Sequence, residues 1–178
     1  MADTNPIDAV HLIRSYMLHC RFVRHGLNSV VRELSERAER HDDSKLMADE
    51  FDGFTRINKA ARENAYLSPE YKAGLAQEQP TIDLHYSRNS HHPEFHGDLC
   101  EGRVCVGVEV AAEKMTWLDI VEMVCDWHGA YRAYGSKGTW EENMERQRER
   151  YKVNNWFTKE QWWLIDQVAI FIGKEAAR

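Results

Sequence analysis

Apolar residues recur every three or four positions along most of this 178-residue chain, which predicts a mostly helical protein. Near the start, Pro6 fits the first turn of a helix, and apolar positions continue at helical spacing from Ile7 toward Arg40. We expect a turn between Gly26 and Ser35, because polar residues in that stretch can cap a second helix. The candidate caps are Asn28, Ser29 and Ser35.

Start signals predict the later helices. One helix is expected over about 46–63, another begins at Ser68-Pro69, and Pro80 opens a segment that runs to Asn89. Three further starts carry a capping-box pattern, in which a Thr is followed three residues later by an acid or an amide. They are Thr116 with Asp119, Thr139 with Glu142 and Thr158 with Gln161, and they predict helices near 117–134, 140–151 and 159–174.

One segment has a different pattern. Valines at every second position from Val104 to Val110 alternate with other residues, and glycines precede them. Such period-two alternation is typical of a β-strand, so a small β-hairpin insert is predicted near 103–110. The sequence has no internal repeat, linker or low-complexity stretch, and the prediction is therefore one all-α domain, 1–178, with this insert.

Composition and charge limit the kinds of partner that this chain could bind. The chain is 43% hydrophobic and 29% charged, which is typical of a globular protein in water. Its formal net charge of −6 disfavours nonspecific nucleic-acid binding, which needs a positive field. No apolar run approaches the roughly 18 residues of a membrane span, and no basic-then-apolar leader is present. We therefore expect a cytoplasmic protein with no membrane partner, and a homo-oligomer remains open.

Nine histidines are the one compositional excess, and several lie beside carboxylates. His41-Asp42 offers an imidazole and a carboxylate together, a pair suited to Mg, Mn, Fe, Co, Ni or Zn. The segment continues Asp43-Ser44-Lys45. An ammonium four residues after the histidine can lie near an anion held on the metal, so a divalent-metal site is predicted here.

A second candidate element is acidic. On a helix, Asp119, Glu122 and Asp126 share one stripe, because they are three and four residues apart. A solvent-exposed face would explain that spacing. However, Asp126 has Val124-Cys125 before it and Trp127 after it, and a carboxylate in apolar surroundings requires a cation.

The third element carries three histidines in eight residues, namely His85, His91 and His92. On an unbroken helix, His85 and His92 would share a face but lie ~10.5 Å apart along the axis. That distance is too long for one ion. The pair could serve two ions, or one ion and a substrate phosphate, while a surface loop is the alternative.

These elements together resemble the HD-domain superfamily of metal-dependent phosphohydrolases. The sequence is most similar to a group of small HD-type proteins carried by phages and bacteria, over about residues 15–165. The matching motifs are His19 with Val23; His41-Asp42-Asp43-Ser44-Lys45; His85, Asn89 and His91-His92-Pro93-Glu94; and Glu122-Met123-Val124-Cys125-Asp126-Trp127. The chain departs from the pattern at Leu84, where the group has a histidine, and in its valine-rich insert.

The resemblance implies an HD-type helical bundle whose metal ligands are His19, His41, Asp42 and Asp126. His25 competes with His19 for the first position, and the spacing of the group favours His19. An unbroken helix would hold His19 and His41 ~33 Å apart, so the chain would have to fold back between them for both to bind one ion.

The implied activity is hydrolysis of a nucleotide or another small phosphate ester, by a nucleotidase or phosphodiesterase that uses metal-activated water. Lys45 would neutralise phosphate oxygens, and Glu122 or one of the three histidines His85, His91 and His92 would act as the base. His85 and His92 would bind a second ion or protonate the leaving oxygen. The residues expected to contact the substrate are Arg88, Asn89 and His91. For a phage-borne protein, the expected location is the host cytoplasm.

Two other classes of function stay open. Some relatives of the superfamily hold two irons with extra histidines and oxidise their substrates. Alternatively, the metal is structural, and the protein binds a host protein or a signalling nucleotide without turnover.

Overall fold

The structure, a computed structural model, describes residues 5–64, 68–97, 99–100, 103–104, 114–134, 138–152 and 156–176. The chain divides into two compact units, Met1–His41 and Asp42–Arg178. Its described residues form seven α-helices, and the predicted all-α class is confirmed. The helices are α1 (Pro6–Arg40), α2 (Ala48–Glu63), α3 (Pro69–Gln77), α4 (Gln79–Tyr86), α5 (Trp117–Ala133), α6 (Trp140–Lys152) and α7 (Lys159–Ala176).

Short elements connect these helices. Two 3-10 turns span Asp43–Leu46 and Pro93–His96. A two-residue antiparallel ladder joins β1 (Leu99–Cys100) to β2 (Arg103–Val104). The β-hairpin predicted near 103–110 is not borne out, because the only described ladder lies at its N-terminal edge and residues 105–113 fall outside the described residues.

The first unit is built on α1 alone, which runs unbroken for 35 residues. Asn5 caps it, and Pro6 occupies its first turn as predicted. The turn expected between Gly26 and Ser35 is absent. The physical reason is that the hydroxyls of Ser29 and Ser35 donate to carbonyls four residues earlier in the same helix, so neither residue caps a new one.

In the second unit, the predicted helix starts are confirmed by their hydrogen bonds. Thr116 and Asp119 form a complete capping box at α5. The Thr139 and Thr158 starts make the same reciprocal pair of bonds with Glu142 and Gln161. Each box provides hydrogen-bond acceptors for two backbone N–H groups that would otherwise lack a partner at the start of a helix. The boxes therefore fix where these helices begin.

The core of the second unit lies between α5 and α7. Val124 of α5 and Ile165 of α7 are fully buried there, and the indole of Trp140 donates to the carbonyl of Ala169 at 3.0 Å. Trp127 stacks on Tyr151 with ring centroids 5.6 Å apart. An apolar stripe of α7 contributes to this core, and its members are Trp162, Ile165, Val168, Ala169 and Ile172.

Helices α2 and α4 approach closely at a glycine. A Cβ added at Gly53 would lie only 2.7 Å from the Cβ of Thr81. Any larger residue would therefore push the helices apart. This contact places the C-terminal end of α4, and with it His85, against α2.

Candidate metal centre

Asp42 begins the second unit in an unusual backbone conformation. Its φ of 60° and ψ of 16° lie in the left-handed region, and it is the only non-glycine residue with positive φ in the described chain. Aspartate is one of the few residues that tolerates this region, though at some cost in energy. The conformation leads directly into the 3-10 turn Asp43–Leu46 and aims the carboxylate at the histidines described below.

Lys45 neutralises one side of that carboxylate. Its ammonium contacts the Oδ2 of Asp42 and lies 5.1 Å from the ring centroid of Phe54, a cation–π contact. The other oxygen, Oδ1, faces the imidazoles of His85 and His91.

His85 is buried at the end of α4, and its protonation is set by a carboxylate. Its Nδ1 lies 3.0 Å from the Oε2 of Glu50. An ionised carboxylate only accepts hydrogen bonds, so the contact with Glu50 is assigned to a proton on Nδ1, and Nε2 is the nitrogen that faces the cluster. That Nε2 lies 3.2 Å from the Oδ1 of Asp42.

His91 repeats this arrangement from a different element. It lies on the turn between α4 and Pro93–His96, and its Nδ1 is 3.2 Å from the Oε1 of Glu122 on α5. By the same assignment Nδ1 of His91 donates to Glu122, and Nε2 faces the cluster. The Nε2 of His91 lies 3.5 Å from the Oδ1 of Asp42.

The Nε2 atoms of two imidazoles and a carboxylate oxygen therefore converge, an arrangement that a cation among them would bridge. Ligands that bind one ion at ~2.1 Å lie about 3.0–3.4 Å from each other, which is close to the two distances observed. A carboxylate behind each imidazole is the usual support of a metal-binding histidine. The residues present thus fit a divalent cation.

His92 completes the cluster. Its ring centroid lies 4.1 Å from that of His91 and 5.0 Å from that of His85. Burial, with the neighbouring imidazoles, lowers the pKa of His92 to about 2, so the ring is neutral at pH 7 and can donate a lone pair. The four candidate ligand atoms, from Asp42, His85, His91 and His92, all lie within 4.8 Å of one another.

Helix α5 adds carboxylates to this cluster. Asp126 offers an oxygen within 4.8 Å of one from Asp42. Glu122 lies one helical turn before Asp126, on the same face. Asp119 has a structural role, since it caps α5 and accepts a hydrogen bond of 2.7 Å from Ser90, which ties the histidine-rich turn to this helix.

A buried network positions His85. Glu50 is fully buried, and Arg88 balances its charge with a bond of 2.9 Å to Oε1 while also pairing with Asp49. Ser44 donates to Oε2 of Glu50 at 2.9 Å. The side-chain amide of Asn89 donates a hydrogen bond of 3.0 Å to the hydroxyl of Ser44 and one of 2.8 Å to the carbonyl of His85.

The site differs from the sequence expectations in two ways. The segment from His85 to His92 is not an unbroken helix, because α4 ends at Tyr86; the ~10.5 Å separation is therefore wrong, and both rings face one cluster. Arg88 and Asn89, expected to bind substrate, contact Glu50 and Ser44, and their substrate role stays a prediction. His91, also expected to bind substrate, lies among the candidate ligands.

The two expected ligands of the first unit are both on α1 or at its end. His19 is exposed near the middle of the helix, and His41 is its C-cap residue. The expected fold-back between them is wrong, because α1 is continuous. The ~33 Å between them prevents both from binding one ion in a single chain. His41, which precedes Asp42, stays a prediction.

Sequence reasoning missed Glu50 and a second polar layer. In that layer Tyr86 lies beside His92, with ring centroids 4.5 Å apart, and a guanidinium nitrogen of Arg150 lies 3.8 Å from Glu94. Burial raises the pKa of the Glu94 carboxyl and of the Tyr86 hydroxyl. The Pro93-Glu94 motif was a signal for Glu94, but nothing local in the sequence marks Glu50.

Comparison with known proteins gives a family. Residues 11–172 match a family of unknown function, DUF5662. The chain belongs to the DUF5662 family. The match includes every residue of the candidate metal centre, and the description of DUF5662 assigns no activity to it. No curated protein and no solved structure matches the chain. No helix among the described residues is long and apolar enough to cross a membrane.

Proposed function

We propose that this chain is a metal-dependent phosphohydrolase that acts on a nucleotide or another small phosphate ester. The observation that carries the proposal is the convergence of the Nε2 atoms of His85 and His91 on the Asp42 carboxylate, at 3.2 and 3.5 Å. The sequence motifs that resemble HD-type phosphohydrolases suggest the reaction class, and the cluster would hold the metal that the reaction needs.

The donor set indicates which metals fit. Three imidazoles and a carboxylate suit Mn, Fe, Co, Ni or Zn better than Mg, which prefers oxygen ligands and water. Asp42, His85, His91 and His92 would hold one ion, and Asp126 lies close enough to join them or to help hold a second. Such an ion, when bound, lowers the pKa of a water ligand toward neutrality.

The chain's own side chains would serve the phosphate. Lys45 carries its ammonium at the edge of the cluster, beside Asp42, where it would neutralise phosphate oxygens as charge develops. Glu122 holds the proton of His91 on Nδ1 and keeps its Nε2 directed at the centre. Glu50 does the same for His85. These two carboxylates orient ligands, so the proposed base role of Glu122 would be indirect.

The test combines metal content with turnover. The purified chain, prepared without a histidine tag, is assayed by elemental analysis and then screened for phosphate release from nucleotides and phosphomonoesters with each divalent metal. Asp42→Asn should abolish turnover and bound metal, while it keeps the backbone, since Asn also tolerates the left-handed region. Asp43→Asn, at the exposed neighbouring residue, is the matched control and should retain both.

The other functions predict different results. Bound metal with no phosphate release from any substrate would favour a metal-containing binding protein and overturn the hydrolase proposal. Two irons per chain, together with oxygen consumption, would favour a di-iron oxygenase. Full turnover in Asp42→Asn would show that the hydrolysis comes from elsewhere in the preparation.

A further inference from the structure

One side of α6 carries three polar residues at helical spacing. Asn143, Gln147 and Arg150 are four and three residues apart, so their side chains leave α6 on one face. We call these residues the α6 polar stripe. A guanidinium nitrogen of Arg150 lies 3.8 Å from the Oε1 of Glu94, in the 3-10 turn Pro93–His96. The α6 polar stripe therefore lies on the side of α6 that faces this turn.

The stripe and Glu94 contain buried oxygens that have no hydrogen-bond partner among the described residues. These atoms are Oδ1 of Asn143, Oε1 of Gln147 and Oε2 of Glu94. Asn143 is only 8% exposed, and the side chain of Glu94 is 12% exposed. A buried oxygen without a donor destabilises the folded chain, so three of them beside one turn require an explanation. A ligand that supplies the missing donors explains all three.

The unpaired oxygens indicate the chemistry of that ligand. Each oxygen accepts a hydrogen bond, so the ligand must present several N–H or O–H groups. Asn143 and Gln147 are ~6 Å apart along the axis of α6, so the donors must be spread over a similar length. A nucleoside has this size and carries donors on its base and on its sugar. Asn, Gln and Glu are also side chains that proteins use to pair with the edges of bases.

The position of Glu94 connects these oxygens to the candidate metal centre. Glu94 follows the candidate ligand His92 by two residues, which span at most ~7 Å of backbone. Tyr86, which belongs to the same polar layer, packs on His92 with ring centroids 4.5 Å apart. A phosphate held at the metal centre would therefore carry its esterified group within reach of Glu94 and the α6 polar stripe.

We propose that Glu94, Asn143 and Gln147 bind the nucleoside part of a nucleotide substrate through its N–H and O–H donors. The inference rests on the proposed hydrolysis of phosphate esters, and it restricts the substrates of that reaction to esters whose leaving group carries several donors. Arg150 would be a positioning residue, because its contact with Oε1 leaves the Oε2 of Glu94 available to the ligand.

The test measures nucleoside binding, which needs no turnover. Adenosine, guanosine, cytidine and free ribose are titrated into the full chain with Mn²⁺ by isothermal titration calorimetry. At least one nucleoside should bind, and ribose alone shows how much of the affinity comes from the sugar. Asn143→Leu and Gln147→Met keep the side-chain size but remove an acceptor, and each should weaken that binding by about 10-fold. Glu145→Met, exposed on the opposite face of α6, is the matched control and should keep wild-type affinity.

The melting temperature separates ligand binding from a structural role. Because Oδ1 of Asn143 has no partner in the described chain, Asn143→Leu should leave the melting temperature unchanged or raise it. A buried water bonded to this oxygen would give the opposite result, a lower melting temperature with unchanged nucleoside affinity. That result would overturn the proposal.

Kinetics separate this inference from the proposed hydrolase function. In Asn143→Leu, the KM for the nucleotide should rise about 10-fold, while phenyl phosphate, whose leaving group has no donor, should be hydrolysed as by the wild type. Absence of phosphate release from every ester would overturn the hydrolase proposal and leave the nucleoside titrations to decide the inference. Failure of every nucleoside to bind, or equal affinity in the wild type and both variants, overturns the inference even if turnover is observed.

Discussion

Glu50 and His85 lie 35 residues apart in the chain, and the Oε2 of Glu50 is 3.0 Å from the Nδ1 of His85. Both side chains are buried. The carboxylate therefore favours a proton on Nδ1, and Nε2 faces Asp42. This contact couples the packing of α2 against α4 to the chemistry of the candidate metal centre.

Glu50→Gln should weaken metal binding by about 10–100-fold, the usual effect of losing a carboxylate behind a ligating histidine. The substitution keeps the size of the side chain but removes the charge that holds the proton on Nδ1. Competition titration with a fluorescent chelator measures the change. Asp49→Asn is the control, since Asp49 is exposed on the same turn and also pairs with Arg88. Equal losses of metal affinity in both variants would mean that Arg88, and not the carboxylate of Glu50, supports metal binding.

His92→Ala and His85→Ala should each reduce bound metal. If one unbroken helix contained both residues, they would be too far apart to share an ion, and the first metal would be expected to stay bound in each variant. The turn after Tyr86 changes that expectation, because it brings both rings to one cluster. Elemental analysis of the purified variants measures occupancy, with His25→Ala on the exposed face of α1 as the control. Full occupancy in His92→Ala would exclude it as a ligand.

The helix boundaries could be predicted because their signals are local. Thr116, Thr139 and Thr158 each bond to a residue only three positions away, and the sequence shows both partners. The same locality explains the error in α1. Ser29 and Ser35 can either cap a helix or donate back within one, and only the neighbouring turns decide between the two.

The candidate site was predictable in part for a related reason. The His41-Asp42 pair and the histidine-rich segment mark Asp42, His85, His91 and His92, while Asp126 is marked by its apolar neighbours and by the resemblance to HD-type proteins. The pairing of Glu50 with His85, and of Glu122 with His91, depends on how helices pack, and no spacing in the sequence encodes it. The C-terminal end of α4 could not be predicted for the same reason. One or two further turns of helix would have kept His85 and His92 apart.

Removal of the metal should lower the melting temperature. A ligand that binds only the native state, at a free concentration of 100 times its Kd, contributes ~2.7 kcal/mol. For a chain of 178 residues that is a shift of about 5–11 °C. Differential scanning calorimetry with and without a chelator measures it. The Asp42→Asn variant should show no shift, and a wild type insensitive to the chelator would contradict bound metal.

Gly53→Ala tests whether the α2–α4 approach supports the site. The added Cβ would lie 2.7 Å from the Cβ of Thr81, so the helices must separate, and overpacking of this kind costs about 1–3 kcal/mol. Gly129→Ala is the matched control on α5, where a new Cβ meets nothing within 4 Å. It should stabilise the protein by about 0.5–1 kcal/mol through helix propensity.

Metal affinity distinguishes an effect on helix packing alone from an effect on the candidate metal centre. Because α4 carries His85 and α2 carries Glu50, a displaced α4 lengthens the bond between them and should weaken metal binding in Gly53→Ala. Gly129→Ala should leave it unchanged, although α5 carries Glu122 and Asp126. Urea denaturation gives the stability of each variant, and the chelator titration gives its affinity. A destabilised Gly53→Ala variant with wild-type affinity would show that the Glu50–His85 contact tolerates movement of α4.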